Sequence, residues 1–178
     1  MATLRIVLLL LMFTTAWSET KGNTFSYAAG YVQCPQGWRR HQDTCHLFVT
    51  NHETWTEHMQ HCVQLGAHLA TINDEREDKY LEAEVHKRNA SFWVGGTNMN
   101  NNKTWIWIED NSPVHMGPCG TGHSYCAWNR GVPDNSHDNE HCLELNLRTH
   151  WNDNYCLVLQ GAVCETKPKP EYHWITVG

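Results

Sequence analysis

The sequence predicts an α+β domain, and three observations carry that prediction. Two segments have the apolar spacing and end signals of helices, several short runs are rich in aromatic and β-branched residues, and eight Cys follow a secretion signal. The length of 178 residues suits one ordinary domain and is short for two large ones. The formal charge is −6, from 13 Lys and Arg against 19 Asp and Glu, with no basic block. A nucleic-acid partner is not expected, because phosphate-binding surfaces concentrate Lys and Arg on one face.

Taken in order, Arg5, the apolar run Ile6 to Phe13 and the small residues of Ala16-Trp17-Ser18 predict a signal peptide over residues 1–18, cleaved after Ser18. The run falls short of the roughly 20 apolar residues that a spanning helix needs, and no second run exists. A secreted, extracellular chain without a membrane span is expected. Residues 19–33 are polar and Gly-containing without a sustained period, which predicts a flexible leader. The folded domain is expected over residues 34–165, with a Pro- and Lys-rich tail at 166–178.

Within the domain, Cys34 to Trp38 and Cys45 to Val49 read as two strand-like pieces around a polar turn at His41 to Thr44. Thr54-Trp55-Thr56-Glu57 is a capping-box pattern, so a helix should run to about Leu65. Its buried side should hold Trp55, Met59, Cys62, Val63 and Leu65, and Gly66 supplies the stop. Ala67 to Ile72 reads as a short strand or turn. Asn73 then caps a second helix to Lys87, with Glu75, Lys79, Glu82 and His86 on its wet face. Phe92 to Gly96 and Trp105 to Ile108 predict paired strands, and His141 to Asn146 and Leu157 to Cys164 read as two further strand-like pieces. Between them, Glu109 to Asn139 is a long stretch of turn-forming residues, and ordered loops of that length usually serve function.

In an oxidising compartment an even set of Cys reads first as disulfides. The eight are Cys34, Cys45, Cys62, Cys119, Cys126, Cys142, Cys156 and Cys164. Eight Cys allow 105 pairings, so their spacing leaves the pairing open. Chemistry gathers at Val132-Pro133-Asp134-Asn135, Glu140 and Trp151-Asn152-Asp153, a crowd of oxygen-bearing side chains between and around Cys142 and Cys156. Calcium takes 6 to 8 oxygen ligands in loose geometry from irregular loops, and such a crowd suits it. The plainer reading is two surface turns, since these residue types dominate turns.

The order of Cys34, Cys45 and Cys62, the run Phe92-Trp93-Val94-Gly95-Gly96, Pro133-Asp134 with Glu140 following, Trp151-Asn152-Asp153 and the closing Cys156 and Cys164 resemble the C-type lectin family over about residues 34 to 165. The resemblance implies a C-type lectin-like fold, two helices on antiparallel strands beneath a long binding loop. It implies disulfides Cys62–Cys164 and Cys142–Cys156, with Cys34–Cys45 marking the longer form and Cys119 left to pair with Cys126. It further implies one calcium ion (Ca2+) held by Asp134, Glu140, Asn152 and Asp153, including the Asp153 carbonyl, after a cis bond before Pro133. Asp134, Glu140 and Asn152 would also bond a sugar, and Trp128 would stack on it or pack in the core. Family loops with Pro-Asp tend toward galactose-type sugars, so galactose or N-acetylgalactosamine is the expected ligand.

Two departures matter. Val132 stands where the family has Glu or Gln, and an isopropyl group offers calcium nothing, so weaker calcium binding and an altered sugar preference are expected. Asn135 and His141 stand where an auxiliary calcium site would need acids, so one calcium at most is expected. The rival reading is the same fold with a degenerate site, acting as a protein- or mineral-matrix-binding structural protein. Weak single sites gain by multivalency, which favours a homo-oligomer.

The remaining features are read plainly. The 13 His include pairs such as His58 with His61 and His137 with His141, but zinc needs a convergence that spacing alone does not show, so they read as surface residues. Trp55, Trp93, Trp105, Trp107 and Trp151 read as core. Asn89-Ala90-Ser91 and Asn102-Lys103-Thr104 are glycan acceptor sequons, with Asn102 in the more open turn. No phosphate-cradling loop or nucleophile elbow is found, and a non-enzyme is expected.

Overall fold

The computed structural model describes residues 25–100, 104–116 and 125–176. The expected signal peptide, Asn102 and Cys119 lie outside them. Strand β1 (Phe25–Gln33) and strand β10 (Lys169–Thr176) form a two-stranded sheet of their own. Residues 25–33, within the segment expected to be a flexible leader, are thus a strand, and so is most of the segment expected to be the tail. Each segment finds its partner at the opposite end of the described chain, a pairing that no local pattern announces. Residues 31–171 form one unit, and everything below concerns it.

The elements between are β2 (Arg39–His41), β3 (Thr44–Glu53), α1 (Trp55–Gln64), β4 (His68–Leu69), α2 (Glu75–Arg88), β5 (Phe92–Thr97), β6 (Ile106–Trp107), β7 (Cys142–Asn146), β8 (His150–Asn154) and β9 (Gln160–Thr166). Their sheet runs in the order β2-β3-β9-β5-β7-β8, with β4 beside β9 and β6 beside β5. Every pair is antiparallel except β5 with β9, where Phe92 faces Gly161 and Trp93 faces Ala162 in parallel register. The sheet is therefore mixed, where an antiparallel one was expected. Gly161 permits the close approach: a Cβ there would lie 2.6 Å from the Val49 carbonyl and 2.8 Å from the Phe92 ring.

Helix α1 begins as its capping box predicts, with Thr54 accepting the Glu57 N–H and the Glu57 carboxylate accepting the Thr54 N–H. Its inward stripe is Trp55, His58 and Cys62 with Met59 alongside, whereas Val63 and Leu65 are exposed. The positions one and two turns from Trp55 are 58, 59 and 62, so His58 takes the place expected of the later apolar residues. Helix α2 is capped by Asp74 rather than Asn73, Asp74 accepting the N–H groups of Arg76 and Glu77. It ends at Asn89 in the left-handed region, φ +53°. Its outer face pairs Glu75 with Lys79 and Glu82 with His86, one turn apart in each case.

Two apolar clusters meet across the sheet. One gathers Leu81, Val85, Phe92, Leu143, Leu145 and Trp151, and the other Trp55, Leu69, Trp93, Ala162 and the Cys62–Cys164 bridge. The buried Trp55 indole N–H donates to the Val94 carbonyl at 2.8 Å. Disulfides Cys34–Cys45, Cys62–Cys164 and Cys142–Cys156 are formed, and Cys126 is disulfide-bonded as well. Cys62–Cys164 ties α1 to β9, and Cys142–Cys156 ties the start of β7 to the turn after β8. Among the described residues no helix is long and apolar enough to cross a membrane.

Candidate functional site

The site stands at one end of the β7–β8 pair. Residues 150–154, read from sequence only as a turn and ligand motif, form a full strand whose side chains alternate. Trp151 and Asp153 point inward and are buried, while Asn152 is half-exposed. Asp153 stands opposite Leu143 and Asn152 opposite Glu144.

Against this strand the long loop folds back through a cis Val132–Pro133 bond. The Asp134 and Asn135 N–H groups both donate to the buried Asp153 carboxylate, at 3.2 and 2.7 Å. Ser136 holds the next two acids: its hydroxyl donates to Asp134 at 2.7 Å and its N–H to Glu140 at 3.2 Å. The Asn135 amide oxygen accepts the Glu140 N–H at 2.9 Å. These bonds bring the carboxylates of Asp134, Glu140 and Asp153 together, with ligand oxygens all within 4.8 Å of one another.

Asn152 is held beside Asp153 by a different contact. Its amide NH2 donates to the Asp153 carbonyl at 2.6 Å and to the buried Glu144 carboxylate at 3.1 Å. The carbonyl and the amide tip thus lie side by side, and a half-turn of the amide would exchange nitrogen for oxygen at that position. Ser136 and Glu144 are neighbours of these groups that the sequence reading missed. Ser136 follows Asp134 by two, the spacing of an Asx turn, and that signal was available. Glu144 sits within an apolar strand and gives no local sign.

The electrostatics fit a cation. Burial, then the neighbouring Asp153 and Asp134 charges, push the Glu140 carboxyl above its ordinary value. Burial also pushes up Asp153, helped by Asp134 and opposed by the backbone N–H groups that bond it. Among the described residues no Lys or Arg forms an ion pair with any of the three acids. Three crowded carboxylates, a carbonyl and an amide are hard oxygen donors suited to calcium. Val132 adds none.

Trp128 is half-buried. Its indole N–H donates to the His115 carbonyl at 3.1 Å, and its ring meets Trp105 and Trp151 edge to face at 5.0 and 5.8 Å. This is the packing alternative of the sequence reading. A buried hub, also missed, supports it: Asp78 accepts from the Trp151 indole at 2.7 Å, from the Tyr125 hydroxyl at 2.8 Å and faces His150 Nε2 at 2.8 Å. The hub fastens α2 to β8 and to the long loop. His141 faces the Asn98 amide oxygen at 2.9 Å, away from an acid partner. Asn89 is exposed at the end of α2.

The comparisons with known proteins agree with this architecture. The family model "Lectin C-type domain" matches residues 51–166. Ladderlectin of Oncorhynchus mykiss is 32% identical over 129 residues, covering 70% of this chain and 63% of that protein. The galactose-specific lectin nattectin of Thalassophryne nattereri is 29% identical, covering 74% of this chain and 79% of that protein. The solved carbohydrate-recognition domain of the mouse scavenger receptor C-type lectin superposes with a TM-score of 0.67 at 29% identity, covering 76% of this chain and 98% of that domain.

Proposed function

The chain belongs to the C-type lectin family, and from that premise we propose that it is a secreted, non-enzymatic, calcium-dependent lectin for galactose-type glycans. The observation that carries the reading is the meeting of the Asp134, Glu140 and Asp153 carboxylates, with the Asn152 amide at the Asp153 carbonyl. Calcium, when bound, offers open coordination positions to two neighbouring sugar hydroxyls. The chain's own residues do the rest. Ser136 and the loop N–H groups hold the acids in place, Asp153 anchors the loop from the buried side, and the exposed Asp134 and half-exposed Glu140 and Asn152 face the ligand with acceptors and a donor. The name of nattectin supports galactose, as does Pro-Asp in this chain's loop.

Val132 shortens the donor set by one and supports weak calcium binding, in the range of about 10⁻⁴ to 10⁻³ M known for extracellular modules. It also keeps the second reading in play, a domain that recognises a protein or mineral matrix on the same fold. The test is calorimetric calcium titration with a glycan array run in calcium and in chelator. We expect calcium uptake that Asp134→Ala weakens at least about tenfold, comparable to the loss of a metal-site partner, and galactose binding that chelator abolishes. No uptake at millimolar calcium, with partner binding indifferent to chelator and a blank array, would favour the matrix reading.

A further inference from the structure

We propose a second metal site, for a zinc-class divalent ion, formed by Glu53 at the end of β3 and His58 and His61 on α1. His58 and His61 are three apart on the helix and so share a face. Ligand atoms of all three residues lie within 4.8 Å of one another. The Glu53 carboxylate oxygen stands 3.6 Å from His58 Nδ1 and 3.5 Å from His61 Nδ1. Ligands at the usual zinc distances of about 2.0 to 2.2 Å in a tetrahedron are separated by roughly 3.3 Å, so two of the three edges are nearly formed.

The independent observation is the state of His58. This imidazole is fully buried, and its Nε2 faces two carbonyls, Gln160 at 2.8 Å and Asn51 at 3.1 Å. Carbonyls only accept, so Nε2 carries a hydrogen, and in the neutral form of the ring the lone pair is then on Nδ1. That Nδ1 is buried and makes no hydrogen bond, and it points at Glu53. A metal-bound imidazole is held in this way, its second nitrogen donating to a backbone carbonyl that fixes tautomer and ring plane. Glu53 and Gln160 face each other in the β3–β9 register, beyond an irregularity between Val49 and Glu53, so ligand and support belong to one pair of strands.

His61 and Glu53 are each about one-third exposed, at 33% and 32%. They open on a small cavity lined also by Glu57, Gln60 and Gln64, where water would complete the coordination. Glu57 is already engaged by Thr54 in the helix cap and is not a ligand. Two imidazoles and one carboxylate suit zinc and its neighbours, whereas calcium prefers oxygen alone. The bound ion would clamp α1 to β3.

The test is zinc titration of the full chain by calorimetry in excess calcium, which loads the oxygen-rich site first. We expect one equivalent bound, a higher thermal midpoint in zinc, and at least about tenfold weaker uptake in both His61→Ala and Glu53→Gln. His58→Gln risks misfolding, so the two half-exposed positions carry the result, with unchanged calcium titration showing that each variant is folded. Co2+ provides a second reading: visible absorption bands of low-symmetry nitrogen and oxygen coordination in the native chain, lost in His61→Ala. Zinc uptake unaltered by both substitutions, or no uptake by the native chain, would overturn the site.

Discussion

The most telling residues are acids placed where acids are costly. Glu165 is buried in β9 beside Glu77 and His46, its carboxylate accepting the Thr71 N–H at 2.8 Å. Burial and the Glu77 charge push it up to about 7, against 4.5 unperturbed. Below about pH 4.5 the group is protonated in folded and unfolded chains alike. Between that pH and about 7 the unfolded chain ionises first, so unfolding is favoured, and above 7 the loss is complete. The shift corresponds to roughly 3 kcal/mol. In chelator, which removes any contribution from bound cations, the native thermal midpoint should fall as pH rises from 4.5 to 7.5. Glu165→Gln should fall distinctly less over the same range; parallel curves for the two proteins would refute the account.

At the scale of elements, helix ends were the most legible features because capping is local chemistry. Thr54 and Glu57 mark the start of α1 within four residues, and the structure uses both. The start of α2 was read one residue early because Asn73 and Asp74 are both good caps. Asp74 prevails by accepting two N–H groups, while Asn73 turns its amide to the Thr71 carbonyl. Replacing Asp74 by Ala should cost about 1 kcal/mol, visible as a lower thermal midpoint, and Asn73→Ala should change it little. Equal losses would mean that both residues cap. Strands defined by distant partners were harder to read. β8 hid inside a ligand motif, β1 resembled a leader, and the parallel β5–β9 pairing has no local signature. The three acids of the loop site were legible, as residue types, but Asp78 and Glu144 were not. A buried acid in a helix or strand looks like any surface charge until its partners are known.

For the molecule as a whole, the question is what lets so loop-rich a chain hold a defined site. Among its described residues the long segment between β6 and β7 makes little regular backbone pairing, so the site depends on attachments at its edges: the Asp153 bonds, the Asp78 hub and the disulfides. Bridges act largely by restricting the unfolded chain, more so when the closed loop is long, and Cys62–Cys164 joins residues 102 apart against 11 for Cys34–Cys45. Chain entropy alone then makes the long bridge worth about 2 kcal/mol more than the short one. Replacing Cys62 and Cys164 by Ala should therefore lower stability to denaturant well beyond replacing Cys34 and Cys45, and should loosen calcium uptake only through the unfolded fraction. Neither bridge includes a residue of the loop site or of the β7–β8 pair, so calcium affinity per folded molecule should stay near native in each double variant. If removal of the short hairpin bridge proves as costly as removal of the long one, the stability of this fold rests on native contacts around the bridges rather than on the chain entropy they remove.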